Sequence, residues 1–279
     1  MYTPSAQEVM KLRKMTSAGM MDCKKALIEA EGDYDKAVDI IREKGKLVAA
    51  KRADRETSEG AVLVRKADGK AIIVCLGCET DFVSATPDFK ALAAEIADAA
   101  IAAFPADAEA LKDAKCSNGH TVEEEISAQT GKTGEKHVLA YYASLEAPYI
   151  AEYIHFNNKL GAIVAFNKEV PEDLGKAVAQ QVTAMNPVSV SEADCPKEVV
   201  EKELEMYKKQ MEEDPKMAGK PAAMLENIAK GKLQKFFKEQ TLEDQDFVQA
   251  DEKISVSAYI KKVDPEAKVV AFKRFSLSD

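Results

Sequence analysis

Two groups of residues in this chain have the types and spacing to do chemistry. One is the pair Cys75-x-x-Cys78, accompanied by three histidines, His120, His137 and His155. Four-ligand zinc sites bring a second Cys or His pair at close spacing; the sequence has none, so no metal is expected. Thioredoxin-like redox chemistry needs its first cysteine at a helix N-terminus, where the dipole lowers the thiol pKa. Cys75 instead continues the run Ile72-Ile73-Val74 and is expected in a strand, as a small apolar residue near its end. Motifs for phosphate binding, for a nucleophilic serine and for carboxylate-held metals are missing, and Gly60 and Gly69 read as isolated turn glycines. The pattern favours a protein that acts by binding.

The second group is Cys78-Glu79-Thr80-Asp81-Phe82-Val83. A strand ends, acidic residues and a threonine follow, and a large aromatic stands before the next helix. In one reading Thr80 or Asp81 caps a helical turn and Phe82 fills the core. In the other, Asp81 and Phe82 form an exposed wedge of the kind that anchors protein interfaces. Residue types alone leave both open.

These groups must be positioned by a chain of 279 residues, 46% hydrophobic and 31% charged, the balance of a folded globular protein. Chains of this length divide into units of roughly 100 to 150 residues, so two or three are expected. No apolar run approaches the roughly 20 residues of a bilayer span, and Met1 to Met10 carries neither the basic nor the apolar segment of a signal peptide. Five cysteines without framework spacing point to reduced thiols and a cytoplasmic setting. A net charge of −9 disfavours direct nucleic-acid binding, which needs clustered Lys and Arg to displace counterions. A protein partner or a small ligand is the better expectation.

Apolar spacing predicts three short helices near the start, opened by Ser5, Gly19 and Asp33, with Gly32 and Gly45 as helix stops for the last two. A charge-dense stretch, 51–60, reads as a linker. The runs at 61–64 and 71–74 flank Asp68-Gly69, a strong type I′ hairpin signal, and a helix from Asp88 to Phe104 follows. A similar order recurs: Tyr149 to His155, a turn at Asn157-Asn158, Leu160 to Ala165, then a helix from Glu172 to Met185. Between Lys197 and Gln240, apolar stripes separated by Pro215, Gly219 and Pro221 predict a projecting antiparallel helical hairpin, and a helix at Val256 to Val263 and a strand at Lys268 to Leu277 close the chain. The expected class is α+β: a helical module at 1–50, two pseudo-repeated subdomains with antiparallel sheets at 61–146 and 147–279, and a hairpin insertion at 197–240.

The segments Leu12-Arg13-x-x-Thr16-Ser17-Ala18-Gly19-Met20-Met21-Asp22-Cys23-Lys24-Lys25-Ala26-Leu27 and Glu79-Thr80-Asp81-Phe82-Val83 resemble the elongation factor Ts family. So do Tyr153-Ile154-His155, Ala184-Met185-Asn186-Pro187 and Val199-Val200-Glu201-Lys202-Glu203, in the same order along nearly the whole chain. The resemblance implies a guanine nucleotide exchange factor that releases GDP from elongation factor Tu without covalent chemistry, with no cofactor and no small-molecule substrate. It implies that the first module is ubiquitin-associated-like and packs on the partner's G domain, with Leu12, Met20, Met21 and Lys24 as contacts. Met20 and Met21 fit the bundle core equally well. It also implies that Asp81 and Phe82, flanked by Thr80 and Val83, disturb the partner's magnesium and phosphate site, and that His155 touches a helix of its G domain. The chain departs from the family pattern at Cys75-Leu76-Gly77-Cys78 and at Phe156-Asn157-Asn158, where a glycine-rich turn is usual. A generic interaction adaptor and a thiol enzyme using Cys75 and Cys78 are the rival readings.

Overall fold

The computed structural model of the chain describes residues 2–16, 18–215 and 220–278. Its fold separates into two units. The first runs up to Leu145 and also takes Ile154–Gly161 and the C-terminal residues from Phe275; the second comprises Glu146–Tyr153 and Ala162–Arg274.

The first unit opens with α1 (Ala6–Thr16), α2 (Met20–Glu29) and α3 (Tyr34–Lys51). Ser5 and Glu8 cap α1 reciprocally, the Glu8 amide donating to Ser5 Oγ and the Ser5 amide to the Glu8 carboxylate. Asp33 caps α3 by accepting from the amides of Asp35 and Lys36. Val9, Leu12, Ala26, Leu27, Ala37 and Ile41 make the small core between the three helices.

Next come β1 (Glu59–Ala67), β2 (Lys70–Cys78), α4 (Asp81–Ser84), α5 (Pro87–Ala103), α6 (Ala108–Lys112), α7 (Val122–Thr133) and β3 (His137–Glu146). The β1–β2 hairpin has the expected turn, with positive φ at Asp68 (48°) and Gly69 (75°), and it pairs Glu59 with Cys78 at its open end. β2 is the central strand in the order β1-β2-β3, which accounts for its unbroken apolar sequence. Ile72, Val74, Leu76 and Cys78 pack in one cluster with Phe89, Leu92 and Ile96 of α5.

Gly45 does not stop a helix. It lies inside α3, where a Cβ would stand 2.5 Å from the Ser127 carbonyl oxygen of α7; a Cβ on Gly131 of α7 would stand 3.1 Å from Gly45 Cα. Glycine serves here as the contact that lets two helix backbones meet. The adjoining stretch 52–58 is held in place as well, because Lys136 Nζ donates to the carbonyls of Ala53 (2.6 Å) and Arg55 (2.9 Å).

The second unit contains α8 (Glu172–Met185), α9 (Lys197–Glu213), α10 (Ala222–Gln240) and α11 (Val256–Val263), and all but the end residues Ile154, Leu160, Gly161, Phe275 and Ser276 of β4 (Tyr149–Ile154), β5 (Leu160–Phe166) and β6 (Val269–Ser276). Its sheet has the order β4-β5-β6, and Leu174, Val178 and Val182 of α8 share a core with Ala162, Val164 and Phe166. A three-stranded sheet with a helix across it thus occurs twice, as the α+β reading expects. The α9–α10 pair is the expected helical hairpin. Leu204, Met211, Leu225, Ala229 and Leu233 face a seam groove of about 640 Å³. The break expected at Gly219 lies outside the described residues.

Candidate partner-binding site

The segment after β2 is fixed by side chains that point back into the first unit. Thr80 N-caps α4, accepting from the Val83 amide (3.4 Å), and its hydroxyl donates to the Glu135 carboxylate at 2.9 and 3.1 Å. Glu79 accepts two hydrogen bonds from Arg52 Nη1 (2.9 and 2.8 Å) and one from the Lys136 amide (2.6 Å). On the far side Thr86 donates to the Val83 carbonyl (2.8 Å) and accepts from the Phe89 amide (3.2 Å), so α4 is bracketed by two threonine caps. Val83 is the residue of this turn that packs against the core. Asp81 is exposed, and Phe82 is 83% exposed. The capping half of the first reading therefore holds while its core half fails for Phe82: with Thr80 tied to Glu135 and Val83 turned inward, position 82 is left outside.

Partial burial alone would raise the Glu79 pKa, but the Lys136 amide and the hydrogen bonds and charge of Arg52 outweigh it and hold the carboxyl below its ordinary value. A carboxylate depressed in the folded chain stabilises it fully above the unfolded pKa of about 4.3, and that stabilisation is lost as pH falls through the folded value. Wild type should therefore melt above Glu79→Gln at neutral pH, and the gap in Tm should narrow below about pH 4. A gap that widens in acid would contradict this role.

The second feature is the turn between β4 and β5, which belongs to the first unit. The His155 amide donates to the Leu160 carbonyl (2.8 Å), the Asn158 amide to the His155 carbonyl (2.8 Å), and the Lys159 amide to Asn157 Oδ1 (3.0 Å). Asn158 takes φ 56°, a conformation that asparagine tolerates. The turn is tied to β1 by the Val62 amide donating to the Asn158 carbonyl (2.7 Å) and by Lys159 against Glu59 (2.6 Å). His155 is half-buried, with its ring 4.4 Å from that of Phe156. Phe156 is 87% exposed. A cleft of about 350 Å³ is lined by Gly60 and Ala61 of β1, by Ser84 and Ala85, and by Asn157 and Asn158. Phe82 and Phe156 stand on two turns that each contribute residues to this cleft.

In the first module, Met20 (42% exposed) and Met21 (64%) lie on the surface of α2, as does Lys24, so the bundle-core alternative for the two methionines is not what forms. Leu12 is a correction: it is completely buried in the three-helix core and offers no surface to a partner.

The thiol reading fails on burial. Desolvation pushes the Cys75 and Cys78 thiols up to about 12 each, and Cys75 sits in β2 as its sequence context indicates. All five cysteines are buried. Their reaction with an aromatic disulfide reagent at pH 8 should wait for denaturant; a fast native-state phase from Cys75 or Cys78 would contradict the burial. Among the described residues no group of His, Cys, Asp and Glu could hold a metal ion, and no helix is long and apolar enough to cross a membrane.

Residues 79–279 match the family model described as elongation factor TS, beginning at the glutamate that anchors the turn. The chain is 45% identical over 278 residues to elongation factor Ts of Christiangramia forsetii, which covers 98% of each chain. It is 45% identical over 283 residues to that of Cytophaga hutchinsonii, covering all of both. With elongation factor Ts of Porphyromonas gingivalis the identity is 42% over 272 residues, 98% of this chain and 97% of the relative. A match reaching from the anchored turn to the last strand, with relatives aligned end to end, identifies the chain as a member of the elongation factor Ts family.

Proposed function

We propose that this chain is a guanine nucleotide exchange factor that binds elongation factor Tu in its GDP form and opens the magnesium and phosphate site so that GDP leaves. The observation that carries the reading is Phe82, exposed beside Asp81 on a turn whose backbone is held from both ends. Interface anchors are large aromatics that enter a partner's pocket, and a pre-ordered turn spends little entropy on docking. Thr80 and Val83 hold the turn; Asp81 and Phe82 enter the partner. Met20, Met21 and Lys24 of α2 and His155 of the second turn add contacts that keep the wedge in place.

The size of the effect sets what these contacts must do. GDP held at about nanomolar affinity and rebinding at about 10⁶ M⁻¹s⁻¹ leaves at roughly 10⁻³ s⁻¹. Raising that to about 10 s⁻¹ requires lowering the barrier by roughly 5 to 6 kcal/mol. One aromatic hot spot contributes about 2 to 4 kcal/mol, so the wedge needs the surrounding contacts. Linkage is reciprocal: nucleotide weakens the grip of this chain on the GTPase by the factor that this chain weakens the grip on nucleotide. The factor is thereby released and turns over.

The test is release of a fluorescent GDP analogue from purified elongation factor Tu, with and without the chain. Exchange activity raises the release rate by orders of magnitude. An unchanged rate would leave the adaptor reading standing.

A further inference from the structure

All ten phenylalanines and eight tyrosines of the chain fall within the described residues, and only Phe82 and Phe156 among them are exposed. The fold does not need an aromatic at 156. Asn157 and Asn158 supply the turn: Asn157 Oδ1 accepts from the Lys159 amide and Asn158 takes the positive φ. The ring stands 4.4 Å from the His155 imidazole, and the turn beneath it is bonded to β1. A side chain that adds nothing to the core, carries a large apolar surface and has few orientations to lose has the properties of an interface anchor.

We infer that Phe156 is a second aromatic anchor for the same GTPase partner, carried on a turn that lines the same cleft as the Phe82 turn and governing affinity rather than release. The inference rests on the exchange-factor reading and extends its site by one residue. An aromatic turn could also stack a nucleic-acid base, but the neighbouring Lys159 is already paired with Glu59 and the chain carries a net charge of −9. The expected occupant of this face is an apolar depression on a protein. Phe82 would act at the nucleotide site, whereas Phe156, on the separate β4–β5 turn, would contribute equally to ground state and transition state. Uniform binding of that kind changes the concentration needed and leaves the plateau rate alone.

The experiment measures GDP release against factor concentration for full-length wild type, Phe156→Ala, Phe156→Leu and Phe82→Ala, with direct binding to elongation factor Tu and a circular dichroism melt for each. Phe156→Ala should raise the half-saturating concentration and the dissociation constant by at least about tenfold, keep the plateau within about twofold, and melt like wild type. Phe156→Leu, which keeps most of the apolar surface, should recover most of the affinity. An active wild type with unchanged half-saturation in Phe156→Ala overturns this inference alone. A defect confined to binding of a labelled single-stranded RNA would overturn it too, reassigning the ring to base stacking. Wild type that neither binds the GTPase nor speeds release overturns the exchange-factor reading and this one together.

Discussion

Phe82→Ala should lower the plateau rate of GDP release from elongation factor Tu by at least about tenfold while the melting temperature stays within the range of an ordinary surface substitution. Both halves follow from where the ring is. At 83% exposure it makes little contribution to the core, and surface changes away from special features cost no more than about 0.5 kcal/mol. Its removal leaves the Thr80 and Thr86 caps and the inward Val83 intact, so the turn keeps its shape and loses only its apolar tip. Truncating an aromatic anchor costs about 2 to 4 kcal/mol of partner interaction. If the interaction is made mainly as nucleotide leaves, that loss appears in the plateau rate. Parallel loss of folded protein and of exchange would assign the ring a packing role instead.

Gly45→Val should destabilise the first unit by about 2 to 3 kcal/mol, the cost of overpacking a close contact. That corresponds to a fall of roughly 4 to 12 °C in Tm. The first added carbon would stand 2.5 Å from the Ser127 carbonyl oxygen, and a main-chain oxygen in a helix has no rotamer with which to move aside. The consequence should reach the site. Arg52, which immediately follows α3, grips Glu79, while Thr130 of α7 accepts from the His137 amide close to Glu135 and Lys136. Prising α3 from α7 therefore moves the groups that anchor the turn carrying Phe82. Exchange should weaken along with stability, and Gly45→Ala should be the milder of the two. Calorimetry on the three proteins checks this. An unchanged Tm in Gly45→Val would mean that the two helices do not meet there.

Much of the architecture was legible where a local rule and a tertiary need agree. Asp68-Gly69 gave the hairpin because positive φ is needed there whatever packs outside, and the helices 172–185 and 256–263 were readable from their apolar stripes. The stretch 106–146 carries no comparably clear local signal, although it holds α6, α7 and β3. In α7 the buried face includes Ser127, Gln129 and Thr130 beside Val122 and Ile126, so its apolar periodicity is faint; the signal that could have found it is the capping box Thr121-x-x-Glu124. Gly45 reads as a helix stop because a glycine after an apolar stripe has the same local appearance whether it ends a helix or lets another approach. Only the partner helix, more than 80 residues later in sequence, distinguishes them.

The site shows the same division. Thr80 as a cap was readable from its place before a short apolar turn. Which of Phe82 and Val83 turns outward was not, since both are apolar and adjacent and the choice is made by Thr80 bonding to Glu135, 55 residues away. Leu12 lies in the apolar stripe of α1, and that stripe, more than the motif around it, describes its buried position. Phe156 went unassigned although a signal was present: an aromatic followed by two asparagines at a hairpin tip has no core within reach.

Hydroxyl-radical footprinting of residue 82 in the free chain and in its complex with GDP-bound elongation factor Tu tests the central claim most directly. The ring should oxidise readily in the free chain and become protected when the GTPase is added. Protection already present in the free chain, or equal oxidation in both samples, would contradict an outward aromatic acting on that partner.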